Sequence, residues 1–379
     1  MKDQGVICLC YHRVNPLEEK YSIPPELFEN QLNALLSRGY RTISIANLID
    51  FLSGKPLAME RPILLSFDDG FLDFYVYAYP LLQKYKMNAV VFLVTDWMNE
   101  DNSIGPKSRI PAEPGNFTLD QAVKSALKGD RRLFLSWEMA QEMAKSGLIE
   151  FGSHGLSHRI GFRCGRVKKF IRSREAYWKF HQIYEGEIKP GLPIFEQASA
   201  LAVRRFLPRK EALEQLIEYC RNQMQSSANS DKELKAGLRK FAEKLAPLGD
   251  YESENDARAR ILAELKGSKD IIENRLGLAC PSLSWPFGYY SGLAIELAQQ
   301  AGYKIAFSTE RGAIRLRDNR FSLKRNEINA IPGARLAWEL LILKNRLADR
   351  IINGRPRSRQ VVQEFSEMEK SWEGSQDPV

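Results

Sequence analysis

The stretch Ile63-Leu64-Leu65-Ser66-Phe67-Asp68-Asp69-Gly70 constrains this chain more than any other. An apolar run without alternation reads as a strand buried on both faces, as in a parallel sheet. Two adjacent carboxylates at the end of such a strand are costly, because like charges that close push one pKa upward unless something positive stands beside them. A divalent cation would do that, with one carboxylate as ligand and the other left as a base. Gly70 lets the backbone turn tightly there. A loop acid pair capping a helix from Phe71 is the plain alternative for the octapeptide taken alone.

Around this stretch, strands and helices alternate. A strand over 6–11 delivers Tyr11-His12-Arg13 to a loop. Pro24-Pro25 precedes a helix with Phe28, Leu32, Leu35 and Leu36 at helical spacing, stopped by Gly39. A strand at 40–45, a short helix at 46–52, the Ile63 strand, a helix over 71–85 and a strand at 88–94 follow. Such alternation implies parallel pairing with right-handed crossovers. Residues 96–132 read as a long loop with a short helix near 119–127. Ser136 is a good N-cap for a helix running to Gly147, and a short strand over 149–152 comes next. Residues 161–275 change character: rich in Lys, Arg, Glu, Ala and Leu, they show helical periodicity and little sign of strands, and end in a helix over 256–276. Strand-like structure resumes at Cys280, with a helix at 294–301, a strand at 304–308 and a last strand near 321–328.

Bulk properties narrow the class. A length of 379 residues holds one large domain or two ordinary ones, and no apolar run approaches the ~20 residues that span a bilayer. The N-terminus carries no secretory signal, so the expected location is the cytoplasm, with membrane association open. Five cysteines without a CxxC pair favour reduced thiols. A net charge of +8 suits nucleic acid, an anionic lipid surface or an acidic glycan. Without zinc-finger, RRM or helix-turn-helix signatures, nucleic acid is the weakest of the three. Residues 336–352 read as a basic amphipathic helix, able to lie on an anionic membrane or, the stronger alternative, to pack its apolar stripe on the main domain. The tail after Gly354 is polar.

Of only four histidines, His12, His154 and His158 sit just past expected strands, as do Asp68 and Asp69. In a barrel of parallel strands the C-terminal strand ends meet on one face, where active sites are built. His154 and His158 have the i, i+4 spacing of one helical turn. Two imidazoles and one carboxylate suit zinc or a neighbouring divalent metal and leave positions open for water and substrate, the arrangement of a catalytic rather than a closed structural site.

Three motifs, taken in order, resemble those of the polysaccharide deacetylases, the NodB-homology or carbohydrate esterase family 4. They are Ser66-Phe67-Asp68-Asp69-Gly70, His154 to His158 with Gly155 where the family usually has Ser or Thr, and Trp285-Pro286-Phe287-Gly288-Tyr289-Tyr290. The resemblance implies an α/β fold, a distorted (β/α) barrel over 1–160 and 276–335, interrupted by a mostly helical insertion at 161–275 and followed by the helix and tail of 336–379. It implies metal-dependent deacetylation of an N-acetylated sugar of a bacterial surface polysaccharide or its precursor, with zinc as the expected metal and cobalt, nickel or manganese as alternatives. Asp68 becomes the general base, and Asp69, His154 and His158 the metal ligands. The backbone N–H of Phe287 would bind the oxyanion, and Trp285, Phe287 and Tyr289 would face the sugar. The family's late Leu-x-His is missing. The early Tyr11-His12 resembles the branch acting on poly-β-1,6-N-acetylglucosamine, which makes His12 the general acid and Tyr11 a substrate-binding residue at the sugar. The arginine that usually precedes the third motif is also missing; Arg325 is the candidate for orienting Asp68. A catalytically inactive carbohydrate-binding scaffold is the alternative, disfavoured by the intact acid and histidine pairs.

Overall fold

Nine strands gather into one sheet around the acid-bearing segment, every residue of which is buried. The computed structural model describes residues 5–100, 114–172, 178–184, 188–225, 231–328 and 330–344. Contacts divide the chain into a first unit, Met1–Ser157 with Leu262–Val379, and a second, His158–Ile261.

The first unit begins β1 (Val6–Tyr11), β2 (Arg13–Val14), β3 (Ser22–Ile23), α1 (Pro25–Ser37), β4 (Arg41–Thr42), α2 (Ile45–Leu52) and β5 (Pro62–Asp69). It continues α3 (Tyr79–Tyr85), β6 (Ala89–Leu93), α4 (Leu119–Leu127), α5 (Trp137–Lys145) and β7 (Ile149–Ser153). The second unit holds β8 (Ile160–Phe170), α6 (Trp178–Ile183), β9 (Pro193–Ser199), β10 (Phe206–Pro208), α7 (Lys210–Gln225), α8 (Asp231–Lys244), β11 (Gly249–Tyr251) and the start of α9 (Glu254–Leu276). The chain then returns to the first unit with β12 (Ser282–Ser284), α10 (Gly292–Gln300), β13 (Ile305–Phe307), β14 (Ala313–Ile314), β15 (Asn326–Glu327) and α11 (Gly333–Lys344).

The sheet runs β13-β12-β7-β6-β5-β1-β14, with β4 on β5 and β15 on β1. Every pair is parallel except β1 with β14. Residues 321–328 reach both margins: Leu323 bridges Phe307, while Asn326 and Glu327 pair with Leu9 and Cys10. The sheet thus curls into the distorted barrel that the motifs imply, but only Asn326–Glu327 of the expected last strand is regular.

Register separates the faces. Cys8 pairs with Leu64 and Tyr11 with Phe67, and side chains alternate along each strand. Cys8, Leu64, Val90, Phe92, Ile305, Phe307 and Leu323 share an apolar cluster. Tyr11 stacks on Phe67 at 5.1 Å and meets Phe28 of α1 edge-on, a separate aromatic layer.

Local signals explain most boundaries. Ser136 accepts a hydrogen bond from the Met139 N–H and starts α5. Ser44 and Asn47 form a capping box that starts α2 and cuts the strand expected over 40–45 to Arg41–Thr42. The helix expected over 71–85 opens with a wide π-turn, Phe74–Ala78, before α3. Pro80 explains it: its nitrogen has no hydrogen to give the carbonyl four residues back.

The second unit differs from the expectation of few strands. Helices still outweigh strands, but β8 and β9 form an antiparallel pair with three register shifts, and β10 pairs with β11. Phe162, Val167 and Phe170 of β8 are buried with Phe195, Phe206, Leu216 and Leu238, while Arg166, Lys168 and Lys169 are exposed. The bulges break the two-residue alternation that would have announced the strand. The five cysteines are free and buried. No helix among the described residues is long and apolar enough to cross a membrane. Of the helix expected over 336–352, the part to Lys344 is present, with Leu336, Leu340 and Leu343 buried; residues 345–352 and the tail lie outside the described residues.

Candidate active site

Asp68 is nearly the last residue of β5 and is buried. The Arg325 guanidinium clamps it bidentately, Nη1 donating to Oδ1 at 2.7 Å and Nη2 to Oδ2 at 2.9 Å. Arg325 also donates Nε–H to the Ser308 carbonyl at 3.1 Å and Nη2–H to Ser284 Oγ at 2.8 Å. Burial alone would raise the Asp68 pKa, but the charge and hydrogen bonds of Arg325, together with the nearby His154 and His12, outweigh it and hold the carboxyl well below the usual carboxylate range. Asp68 is therefore ionised and fixed in orientation, and Arg325 takes the place expected of it.

Asp69 should point away from Asp68, because adjacent strand residues face opposite sides. It does not: its backbone is left-handed, with φ +76°. Asp68 Oδ2 and Asp69 Oδ1 lie 3.8 and 3.6 Å from the same atom, His154 Nε2. A left-handed residue other than glycine costs about 1–2 kcal/mol and persists where its surroundings fix it. Gly70 follows at φ +80°, where an added Cβ would stand 2.9 Å from the Leu93 side chain.

His154 caps β7, its N–H bonded to the Leu93 carbonyl. Its Nδ1 lies 2.7 Å from the Ser284 carbonyl, which can only accept, so Nδ1 carries the proton. Burial lowers the His154 pKa; Asp68 pulls it up and Arg325 down, with the net effect downward. A neutral imidazole with its proton on Nδ1 turns the Nε2 lone pair toward two carboxylates. That juxtaposition is repulsive by itself and attractive around a cation. His158 completes the set: one donor atom from each of Asp69, His154 and His158 lies within 4.8 Å of the others, and all three residues are buried. The donor chemistry, two imidazoles and a carboxylate, fits zinc and its neighbours.

The two histidines do not share a helical turn, as their spacing suggested. Residues 154–159 are an irregular bend, with positive φ at Gly155 (+82°) and His158 (+53°). The bend is held by Ser157, which donates to Glu264 from its N–H (3.1 Å) and its hydroxyl (2.6 Å), and by the Asp96 N–H on the Leu156 carbonyl (2.9 Å). The left-handed Gly155 is where the family usually has Ser or Thr.

His12 lies just past β1, half-buried, its ring 4.9 Å from that of Tyr21. Burial lowers its pKa, opposed by Asp68 and Glu327 and assisted by Arg325 and His154, so it stands in electrostatic reach of the site. Its neighbour Arg13 is buried and anchors the loop through Asp73, Glu19 and the Phe117 carbonyl. Phe287 and Tyr289 are half-buried on the turn after β12, where Phe287 has φ +60°. Gly288 there approaches so closely that a Cβ would stand 2.1 Å from Thr309 Oγ1.

Two residues expected at the sugar are elsewhere. Tyr11 is buried, its hydroxyl donating to Gln31 Oε1 at 3.1 Å; the alternation that puts Cys10 Sγ 3.7 Å from Asp68 turns Tyr11 to the other face. Trp285 is wholly buried, its indole N–H bonded to the Phe321 carbonyl at 2.8 Å. Neither offers a face to a ligand. Ser284, just before the third motif, has no role in the sequence reading, yet it touches Asp68, Arg325 and, through its carbonyl, His154. The signal was two serines, Ser282 and Ser284, alternating in an otherwise apolar strand.

The chain is similar in sequence and fold to known proteins. The family model described as polysaccharide deacetylase matches residues 57–180. A poly-beta-1,6-N-acetyl-D-glucosamine N-deacetylase from Escherichia coli is 27% identical over 187 residues, 48% of this chain and 25% of that protein. One of the same name from Staphylococcus aureus is 26% identical over 168 residues, 40% of this chain and 49% of that one. The chain thus spans between a quarter and a half of the length of these relatives. Among solved structures, the deacetylase domain of BpsB from Bordetella bronchiseptica is 22% identical, with a TM-score of 0.54 over 87% of this chain and 98% of that one. The Streptococcus pyogenes deacetylase PplD in complex with acetate is 17% identical, with a TM-score of 0.52 over 89% and 98%. These likenesses show the fold to be that of NodB-type deacetylases.

Proposed function

We propose, from the match of residues 57–180 to the polysaccharide deacetylase family model, that this chain is a metal-dependent N-deacetylase of an acetylated amino-sugar glycan, a surface polysaccharide or its precursor. The single observation carrying the reading is the Asp69–His154–His158 cluster beside a carboxylate clamped by arginine. The poly-N-acetylglucosamine substrate named for the relatives supports the class of glycan.

Asp69, His154 through Nε2 and His158 would hold the ion, with zinc first among the metals that suit them. Such an ion, when bound, lowers the pKa of water and polarises a carbonyl oxygen. Asp68, ionised and unable to rotate, takes the proton of the water that attacks the acetyl carbon. The Phe287 N–H donates to the carbonyl oxygen as it becomes negative. His12 delivers a proton to the sugar nitrogen as the C–N bond breaks, so acetate and a free amine leave. Phe287 and Tyr289 border the sugar.

The test is acetate release from N-acetylglucosamine oligomers, after chelation and after return of zinc, cobalt, nickel or manganese. Expected are loss on stripping, recovery on return, and inactivity of Asp68→Asn despite normal metal content. Turnover by the stripped protein, or by Asp68→Asn, would sink the proposal.

A further inference from the structure

Helix α11 is amphipathic the wrong way round on one stripe. Leu336, Leu340 and Leu343 are buried, yet Leu341 is 62% and Trp338 54% exposed, one turn apart on the outward side. Leu341 is the most exposed large apolar side chain among the described residues. A third, Leu316 (43%), belongs to the turn that Arg315 ties to the end of the helix through the Lys344 carbonyl at 3.3 Å. Cations surround the trio: Arg315 and Arg317 flank Leu316, Arg335 is exposed, and Lys344 ends the helix over the Tyr40 ring. Arg311 and Arg335 share one carboxylate, Glu339. Beyond the helix the sequence is balanced, arginines 346, 350, 355, 357 and 359 and Lys370 standing against six acids, so the positive charge at this face is that of Arg315, Arg317, Arg335 and Lys344.

We propose that the outward face of α11, with Trp338, Leu341 and Leu316, docks on an anionic lipid surface. Tryptophan and leucine on a helix lying in the interfacial plane bury apolar area at headgroup depth, while arginines draw it to a negatively charged leaflet. A second copy is a poorer occupant, because a two-fold contact sets each arginine cluster against itself. The proposal is independent of the catalytic reading.

The full chain is sedimented with vesicles of phosphatidylcholine alone or mixed with phosphatidylglycerol. Binding is expected only to the mixture and weaker at high salt. Trp338→Ser with Leu341→Ser should reduce it at least ~10-fold, and Arg317→Gln with Arg335→Gln should reduce it too. Both apolar positions are exposed, so melting temperature and acetate release from a soluble oligomer should not change; this separates failure here from failure of the catalytic reading. Four results overturn the proposal: no sedimentation, equal binding to neutral vesicles, undiminished binding by the Trp338/Leu341 variant, or a solution dimer that this variant dissolves. Shielding of Trp338 from acrylamide before any vesicle is added also overturns it, since the face would then already be covered.

Discussion

Replacing Arg325 with glutamine removes a charge while keeping a donor near Asp68, and its effect can be worked out from the clamp. Both partners are buried, and two charge-assisted bonds join them. Breaking one side of such a pair costs about 3–5 kcal/mol. Without the guanidinium, burial is the largest remaining influence on the Asp68 carboxyl, so its pKa climbs from well below the ordinary carboxylate value to above it. The sign follows. In the wild type the folded pKa lies below the unfolded value of about 3.9, so stability from the pair is present above that pH and lost only in stronger acid. In Arg325→Gln the folded pKa is raised, so the Asp68 contribution is fullest below about 3.9 and fades as pH climbs through the new value. The melting-temperature gap between the two proteins should therefore open between acid and neutral pH. Thermal denaturation from acid to neutral pH, with chelator present throughout, reads it. Acetate release should gain an acid limb in the variant where the wild type has none from this group. A gap independent of pH, or a variant as stable as the wild type, refutes the reasoning. Asp68→Asn with Arg325→Gln should recover part of the loss, because no uncompensated charge remains.

Four further outcomes are expected. His12→Asn should lower kcat by about 10²–10⁴ with zinc content unchanged by atomic absorption. Asp69→Asn, His154→Ala and His158→Ala should each abolish stoichiometric metal binding in calorimetry, whereas Asp68→Asn should not. Trp285→Ala should cost about 3–5 kcal/mol of stability in denaturant titration, as a large buried side chain does, while Tyr289→Ala should leave stability alone and raise KM. Gly155→Ala should cost about 1 kcal/mol and weaken metal affinity, measured by competition with a chromophoric chelator.

The sequence disclosed what chemistry and periodicity can carry. The buried strand ending in Asp68 and Asp69 was visible because an unbroken apolar run has few other uses. The cap at Ser136 has a local cause and was equally plain. What stayed hidden depended on contacts distant in sequence or on departures from regular geometry. Ser284 reaches Asp68 across 216 residues, and Arg325 across 257. Tyr11 was misplaced because the motif suggests proximity while strand alternation decides direction, and β1 turns Cys10, not Tyr11, toward the acid. Trp285 looked like a sugar platform, but only the packing of residues 321–328 reveals that its indole is already bonded. The strands of the second unit were concealed by bulges that scramble the period on which recognition depends.

The proposed reaction gives two neighbouring carboxylates different work without different chemistry. Asp68 follows the strand, faces inward and meets a guanidinium, so its charge is already balanced. Asp69 breaks the strand at φ +76° and turns back to the same imidazole nitrogen. Had Asp69 kept strand geometry, its carboxylate would face away from Asp68 and the two histidines would lack their acidic partner. Were Arg325 placed on Asp69 instead, the ligand would be neutralised and the base left without an orienting partner. The backbone distortion at one residue, together with one arginine contributed from beyond the inserted unit, is therefore what would separate base from ligand in the proposed reaction. Asp69→Gly tests that logic: glycine accepts the left-handed turn, so the bend and the Asp68 clamp should survive with a near-normal melting temperature while metal binding is lost. A collapse of stability there would show that the turn is held by the carboxylate rather than by the fold around it.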